Sequence, residues 1–109
     1  MVSWKDFQKI DIRVGTIIQV QDFPEARNPS YKLTIDFGEL GVKQSSAQIT
    51  RLYAKEDLLN KQIIAVVNFP PKQIANYSSQ CLVLGVLGTD KEVILLHPER
   101  PVPNGKKIA

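Results

Sequence analysis

The chain has 109 residues, of which 14 are basic and 11 acidic, giving a formal net charge of +3 and a pI near 9.1. That length supports one hydrophobic core and leaves no room for a second, so a single domain over residues 1–109 is expected. The mild positive balance is compatible with a polyanion partner without requiring one, and the single cysteine, Cys81, excludes an intrachain disulfide and points to a reducing, cytoplasmic setting.

In chain order, Ser3 to Gln8 reads as a short helix, with Ser3 as N-cap and Asp6 three residues on. This start carries no apolar core of signal-peptide length, and nowhere does an apolar run approach the roughly 18 residues that a membrane span needs. No membrane insertion is expected. Ile12 to Val20 alternates as a strand around Gly15, whose missing side chain suits a bulge or a close approach at a barrel bend. Tyr31 to Phe37 alternates as a second strand, with Phe37 at a core position. Gly38 and Gly41 flank the next turn and are read as setting backbone conformation. Val42 to Ile49 is a third, more polar strand, Arg51 to Leu59 a second helix, and Gln62 to Val67 a β-branched fourth strand. The run Cys81 to Leu87 is continuously apolar and is expected to be a fifth strand covered on both faces, by the barrel or by a partner chain. The turn Gly88-Thr89-Asp90-Lys91 then leads into a hairpin strand, Glu92 to Leu96. Five strands with a helix between the third and fourth give the order of an all-β, five-stranded OB barrel with short flanking helices. A small β sandwich is the other arrangement these runs allow.

Motifs for enzyme chemistry are absent: there is no Gly-rich phosphate loop followed by Lys-Ser or Lys-Thr, and one histidine, His97, with one cysteine does not make a usual zinc site. Cys81 in its apolar run reads as a packing residue, and no serine is spaced to pair with His97 as a nucleophile. Neither an enzyme nor a cofactor is expected. The informative segment is Asn68-Phe69-Pro70-Pro71-Lys72, where two prolines end a buried strand and deliver an amide, a ring and a cation to a sheet rim. On the third strand, Gln44, Ser46 and Gln48 share one face, a strip of donors and acceptors for an extended peptide or unstacked bases. Tyr31 and Phe69 offer apolar contact beside it, and Arg13, Lys32, Lys43 and Lys72 offer charge.

Four segments, Asp11-Ile12-Arg13-Val14-Gly15, Pro24-Glu25-Ala26-Arg27, Lys32 to Gly38 and Val67 to Lys72, resemble in order and spacing the tRNA-binding OB domain that occurs alone or appended to methionyl- and phenylalanyl-tRNA synthetases. Within that family the stretch Lys43 to Thr50, the run Asn68 to Pro71 and the tail Pro101-Val102-Pro103-Asn104-Gly105 resemble the small CsaA-type protein-export chaperones. The resemblance covers essentially the whole chain. It implies a homodimer that binds unfolded preproteins and the translocation ATPase, and it also implies tRNA binding. Arg13, Asn68, Lys72 and Ser79 carry over as ligand contacts. The chain departs from the tRNA-binding pattern at Gln80, Cys81 and Leu82, where Glu-Gly-Met is usual, at Gln73, where a cation is usual, and at Asn76, where glycine is usual. Asn76 tolerates the left-handed turn, whereas losing a cation weakens phosphate binding.

Trp4 and Phe7, Pro70, Pro71 and Ile74 in the connector, and Pro101 and Pro103 in the tail exceed what so small a barrel can bury and are expected at a two-fold interface. Two functional readings stay open, a dimeric holding chaperone for preproteins and a binder of tRNA or single-stranded RNA.

Overall fold

β1, Ile12–Asp22, is the spine of the molecule, long enough to pair with two neighbours in turn. The computed structural model describes Met1–Ala109. Residues Ile12 to Thr16 of β1 pair antiparallel with β4, Gln62–Val66, and Thr16 to Asp22 pair with β2, Tyr31–Asp36. β2 continues antiparallel to β3, Val42–Ala47, with Leu33 opposite Ser45. The irregularity in β1 falls at Ile18, between the paired residues Ile17 and Gln19, and not at Gly15, where the ladder is regular. Gly15 serves close approach instead: a Cβ there would lie 2.6 Å from Ile35 Cγ2 and 2.7 Å from Phe37 Cε1. The inward alternation of β2 buries Leu33 and Ile35 completely, with Phe37 just beyond the strand, against Ile17, Ile63, Ala65 and Leu58.

Between β3 and β4 lies a helix, α2, shorter than expected, at Lys55–Leu58 rather than Arg51 to Leu59. Turns occupy Thr50 to Leu52, and Ala54 caps the helix in extended conformation while its N–H donates to Asp57 Oδ2 at 2.9 Å. Only Leu58 of this helix is buried, so no apolar stripe exists to lengthen it. At the other end of the chain, α1, Trp4–Gln8, begins as expected at Ser3, whose hydroxyl accepts from Asp6 N at 3.1 Å. The reciprocal bond from Ser3 N holds the Asp6 carboxyl below its ordinary pKa.

After β4 the chain makes a hairpin that the sequence did not announce, β5, Lys72–Ile74, and β6, Tyr77–Ser79. Its turn puts Ala75, not Asn76, at positive φ (51°). The expected fifth strand is broken. β7, Leu82–Val83, pairs with β4, whereas β8, Gly85–Leu87, pairs with β9, Val93–Leu95. Leu84 is the switch between partners, donating its N–H to Ile64 O at 2.9 Å and accepting from Leu96 N at 3.2 Å. The expectation of cover on both faces fails within the chain, since Leu82, Val86 and Leu87 are exposed.

The five-stranded sheet runs β3-β2-β1-β4-β7. Its ends approach each other through the segment Ser79 to Cys81: Gln80 N donates to Gln44 O at 2.8 Å, Ser46 N to Ser79 Oγ at 3.0 Å, and Ser45 Oγ to Cys81 O at 2.8 Å. The sheet thereby curls into a nearly closed barrel, the OB-type architecture expected. The tail adds along the edge of the first half of β1 that faces away from β4, with Val14 N donating to Lys106 O at 3.0 Å and Gly105 N to Val14 O at 2.7 Å. Gln62 pins it by donating to Val102 O at 2.6 Å and accepting from Val102 N at 3.1 Å. The tail thus has a berth on its own barrel, although Pro101 and Pro103 stay exposed. No helix is long and apolar enough to cross a membrane.

Candidate functional site

The end of β3, the crossing segment Ser79 to Cys81 and the proline connector after β4 meet around one cavity of about 480 Å³. Ala47 and Ile49 form one wall, Cys81, Leu82 and Val83 the other, and Val93 of β9 contributes a further apolar surface. Phe69 and Pro70 line its mouth in the connector beyond β4, whose ladder ends at Val66 and whose last bond is Val67 N to Asp11 O at 2.8 Å, so the strand stops before the two prolines and not at them as expected. Ser46, Gln48, Ser79, Gln80 and Lys72 supply the polar lining. A cavity with apolar walls and a few polar groups is suited to an apolar side chain or a ring whose attached backbone stays in contact with polar groups.

The predicted residues divide into groups. Ser46, Gln48, Phe69, Lys72 and Ser79 line this one cavity, together with Pro70 and Ile74, which the sequence reading had placed at a dimer interface. Gln44 shares their strand, yet its side-chain amide donates to Ser78 O at 2.8 Å, so it secures the β5–β6 hairpin. Ser79 is nearly buried, and its hydroxyl accepts from Ser46 N and lies 3.5 Å from Ser45 Oγ. Lys43 is half-buried near Cys81, and its charge tends to lower the thiol pKa.

The others are engaged elsewhere. Arg13 pairs with Asp11 at 2.6 Å and donates to Gly105 O at 3.0 Å, beside a different cavity lined by the tail. Asn68 uses both ends of its amide, accepting from Asp11 N at 2.9 Å and donating to Lys9 O at 2.7 Å, and so clasps the α1–β1 junction. The Tyr31 hydroxyl donates to Tyr53 O at 2.8 Å. Lys32 Nζ lies 4.8 Å from the centroid of Phe23 and 5.2 Å from that of Tyr77, a cation held against two rings. Trp4 and Phe7 stack on each other, 5.7 Å between centroids, with Trp4 exposed; Pro71 is exposed on the connector.

Burial pushes the Cys81 thiol up to about 11 and the Tyr77 hydroxyl up to about 12, so both are neutral at physiological pH. No three histidine, cysteine, aspartate or glutamate side chains converge as metal ligands would. Sequence reasoning missed the apolar wall of the cavity, Cys81 to Val83 with Val93, because a continuous apolar run reads as a covered strand. It also missed a polar cup of about 260 Å³ adjoining Gln48, lined by Asn28, Pro29, Thr50, Arg51 and Lys91. The signal was present only as scattered polar residues in three separate turns.

A family model described as "Putative tRNA binding domain" matches residues 12–107. Among solved structures, the chaperone CsaA of Bacillus anthracis strain Ames is 52% identical and superposes with a TM-score of 0.96, the match covering 100% of this chain and 99% of that one. The CsaA chaperone protein of Picrophilus torridus is 59% identical with a TM-score of 0.93, covering 100% of both chains. The methionine–tRNA ligase of Thermococcus onnurineus is 36% identical over 107 residues, 98% of this chain but 14% of the ligase. The chain thus spans about one seventh of the curated ligases it matches, whereas it matches the CsaA structures end to end. With the family model covering β1 through the tail and the barrel superposing over its full length, the chain belongs to the tRNA-binding domain family and is built like its CsaA chaperones.

Proposed function

We propose that this protein is a homodimeric holding chaperone that keeps preproteins extended for export from the cytoplasm, passing them to the translocation ATPase. The observation that carries this reading is the 480 Å³ cavity with apolar walls and polar rim beneath exposed Phe69. The end-to-end likeness to CsaA chaperones supports it. Holding requires only reversible binding, so neither a nucleotide nor a metal enters the mechanism. The apolar walls accept a client side chain, Ser46 and Gln48 bond its backbone, and Phe69 covers it. Ser79 lines the groove and Gln44 secures the hairpin beside it, Lys43 lies near Cys81 of its wall, and Arg13, Tyr31, Lys32 and Asn68 act away from it, in holding the barrel together. The partner copy adds a second groove, which increases avidity for one long client.

A second reading, tRNA or single-stranded RNA binding, is favoured by the family match over residues 12–107. Lys32, Lys43 and Lys72 would then neutralise phosphates, and affinity would fall steeply with salt.

Both readings meet in one competition experiment. A fluorescent unfolded peptide bearing a signal sequence is bound to the purified protein and challenged with bulk tRNA at low and near-physiological salt. Binding that survives salt and resists tRNA is the outcome expected of the chaperone; displacement with a steep salt slope would establish the nucleic-acid reading in its place. Phe69→Ala, with the fold intact by circular dichroism, is expected to weaken peptide binding about tenfold, as for truncation of a buried aromatic contact. Unchanged suppression of client aggregation by Phe69→Ala would remove this groove from the mechanism.

A further inference from the structure

The barrel is closed by hydrogen bonds only as far as Ser46. Gln44 exchanges bonds with Gln80, and Ser46 N donates to Ser79 Oγ. In an antiparallel ladder the residues at every second position direct their backbone groups to the same side. Gln48 continues that series, so its N–H and C=O face away from β2, and neither they nor its side-chain amide has a hydrogen-bond partner in the chain. Across the gap, β7 is paired with β4 on its far side, leaving Leu82 and Val83 facing the cavity with Ile49 opposite. A gap flanked by an unpaired strand edge and lined with apolar side chains is a template for an added strand.

Charge restricts what that strand can be. Past Gln48 the gap opens into the polar cup, where Arg51 and Lys91 stand with Asn28 and Thr50 and no carboxylate lines the wall. Arg51 spends one nitrogen on Asp90 O at 2.6 Å, while Asn28, Thr50 and Lys91 have no side-chain partner in the chain. Of the nearby acids, Glu92 spends its carboxylate on Asp90 N at 3.0 Å, and the Asp90 carboxylate, though unpaired, is not among the residues that line the cup. At the opposite end stands Lys72, also a cation.

We propose that the gap binds an extended peptide that adds as a strand to the Gln48 edge, seats an apolar side chain between Ile49 and Leu82 and Val83, and places a carboxylate in the Arg51–Lys91 cup. The ligand class is therefore an apolar segment with acidic flanks, and segments flanked by lysine or arginine are discriminated against. This rests on the chaperone reading and sharpens it, because it assigns recognition to main-chain bonds at one residue and to charge at two others.

The test is fluorescence anisotropy on the full chain with three nine-residue peptides of alternating apolar sequence. One has glutamate at both ends, one has lysine at both ends, and one repeats the glutamate peptide with its central amides N-methylated. The glutamate peptide is expected to bind about tenfold tighter than the lysine peptide at low salt, and N-methylation to weaken it about tenfold, as loss of one or two backbone bonds does. Gln48→Pro deletes the edge N–H outside β3 and is expected to reproduce the N-methylation effect; should that variant fail to fold, the N-methylated peptide on the unaltered protein answers the same question. Arg51→Glu with Lys91→Glu is expected to reverse the flank preference. Equal binding of the methylated and parent peptides would overturn strand addition while leaving the chaperone reading standing. Tighter binding of the lysine peptide would overturn the cup. Binding of none of the peptides, with single-stranded RNA bound and lost in the Arg51→Glu variant, would overturn both the inference and the reading beneath it.

Discussion

Gly15 lies where β1 passes over the interior face of β2, with Ile35 Cγ2 and Phe37 Cε1 within 2.7 Å of where a Cβ would stand. Both neighbours are fully buried and have nowhere to retreat. Gly15→Ala is therefore expected to destabilise the fold by about 1–3 kcal/mol through overpacking, read from the urea midpoint at unchanged slope. Cys81 makes the opposite kind of prediction, about chemistry that does not happen. With its thiol raised by burial from 9.0 to about 11, alkylation of the native protein at neutral pH is expected to be far slower than in urea. The sign of the stability effect follows. Between pH 9 and about 11 the unfolded chain releases the Cys81 proton while the folded chain retains it, so stability falls as pH rises through that window, and Tyr77, raised from 10.0 to about 12, extends the fall upward. Thermal melts from pH 7 to 11 check this, and Cys81→Ala should flatten the lower part of the decline.

Among the elements, the tail illustrates how one side chain decides whether a segment belongs to the fold. Gln62 on β4 holds Val102 through both its amide atoms and also donates to Asn104 Oδ1 at 3.2 Å. Once held there, the tail satisfies backbone groups on the edge of β1 that faces away from β4, with Ile108 N donating to Ile12 O at 2.9 Å. Gln62→Ala is expected to cost about 1–2 kcal/mol and to make residues 101–109 the first site of limited proteolysis, because removing those partners releases the segment without unfolding the barrel. Proteolysis elsewhere first, in the β5–β6 hairpin for instance, would contradict this division of stability.

At the scale of the whole molecule, β8 and β9 carry apolar surface that the chain itself leaves uncovered. Val86 and Ile94 stand directly opposite each other across this hairpin and are 55% and 43% exposed, with Leu87 and Leu96 also exposed. Apolar side chains of this density on a two-stranded hairpin call for a covering surface, and the homodimer proposed above supplies one. Val86→Asp with Ile94→Asp is expected to convert a dimer of about twice 12.2 kDa into monomer in sedimentation equilibrium. A monomer before any substitution, or a dimer indifferent to both, would place the interface elsewhere.

Read residue by residue, the sequence made the barrel legible through the inward side chains of β2 and the N-cap at Ser3, because each is a local signal with a local physical cause, whereas β4 ends at Val66, before the prolines expected to stop it. Among the wider set of candidate contacts named from the sequence, the fold brings Ser46, Gln48, Phe69, Lys72 and Ser79 to one cavity. The sequence did not separate Gln48, which has no hydrogen-bond partner, from Gln44, Asn68 and Arg13, whose polar groups are bound by backbone atoms up to 92 positions away in the chain. Nor did it show that the apolar run from Cys81 changes partners at Leu84, since an apolar run records only that burial is favourable. Composition and pattern determined the architecture and the chemical inventory of the rim. Which polar groups remain unpaired, and where the barrel stays open, was decided only by tertiary structure, because hydrogen-bond satisfaction depends on partners brought together in space and leaves no periodic trace along the chain.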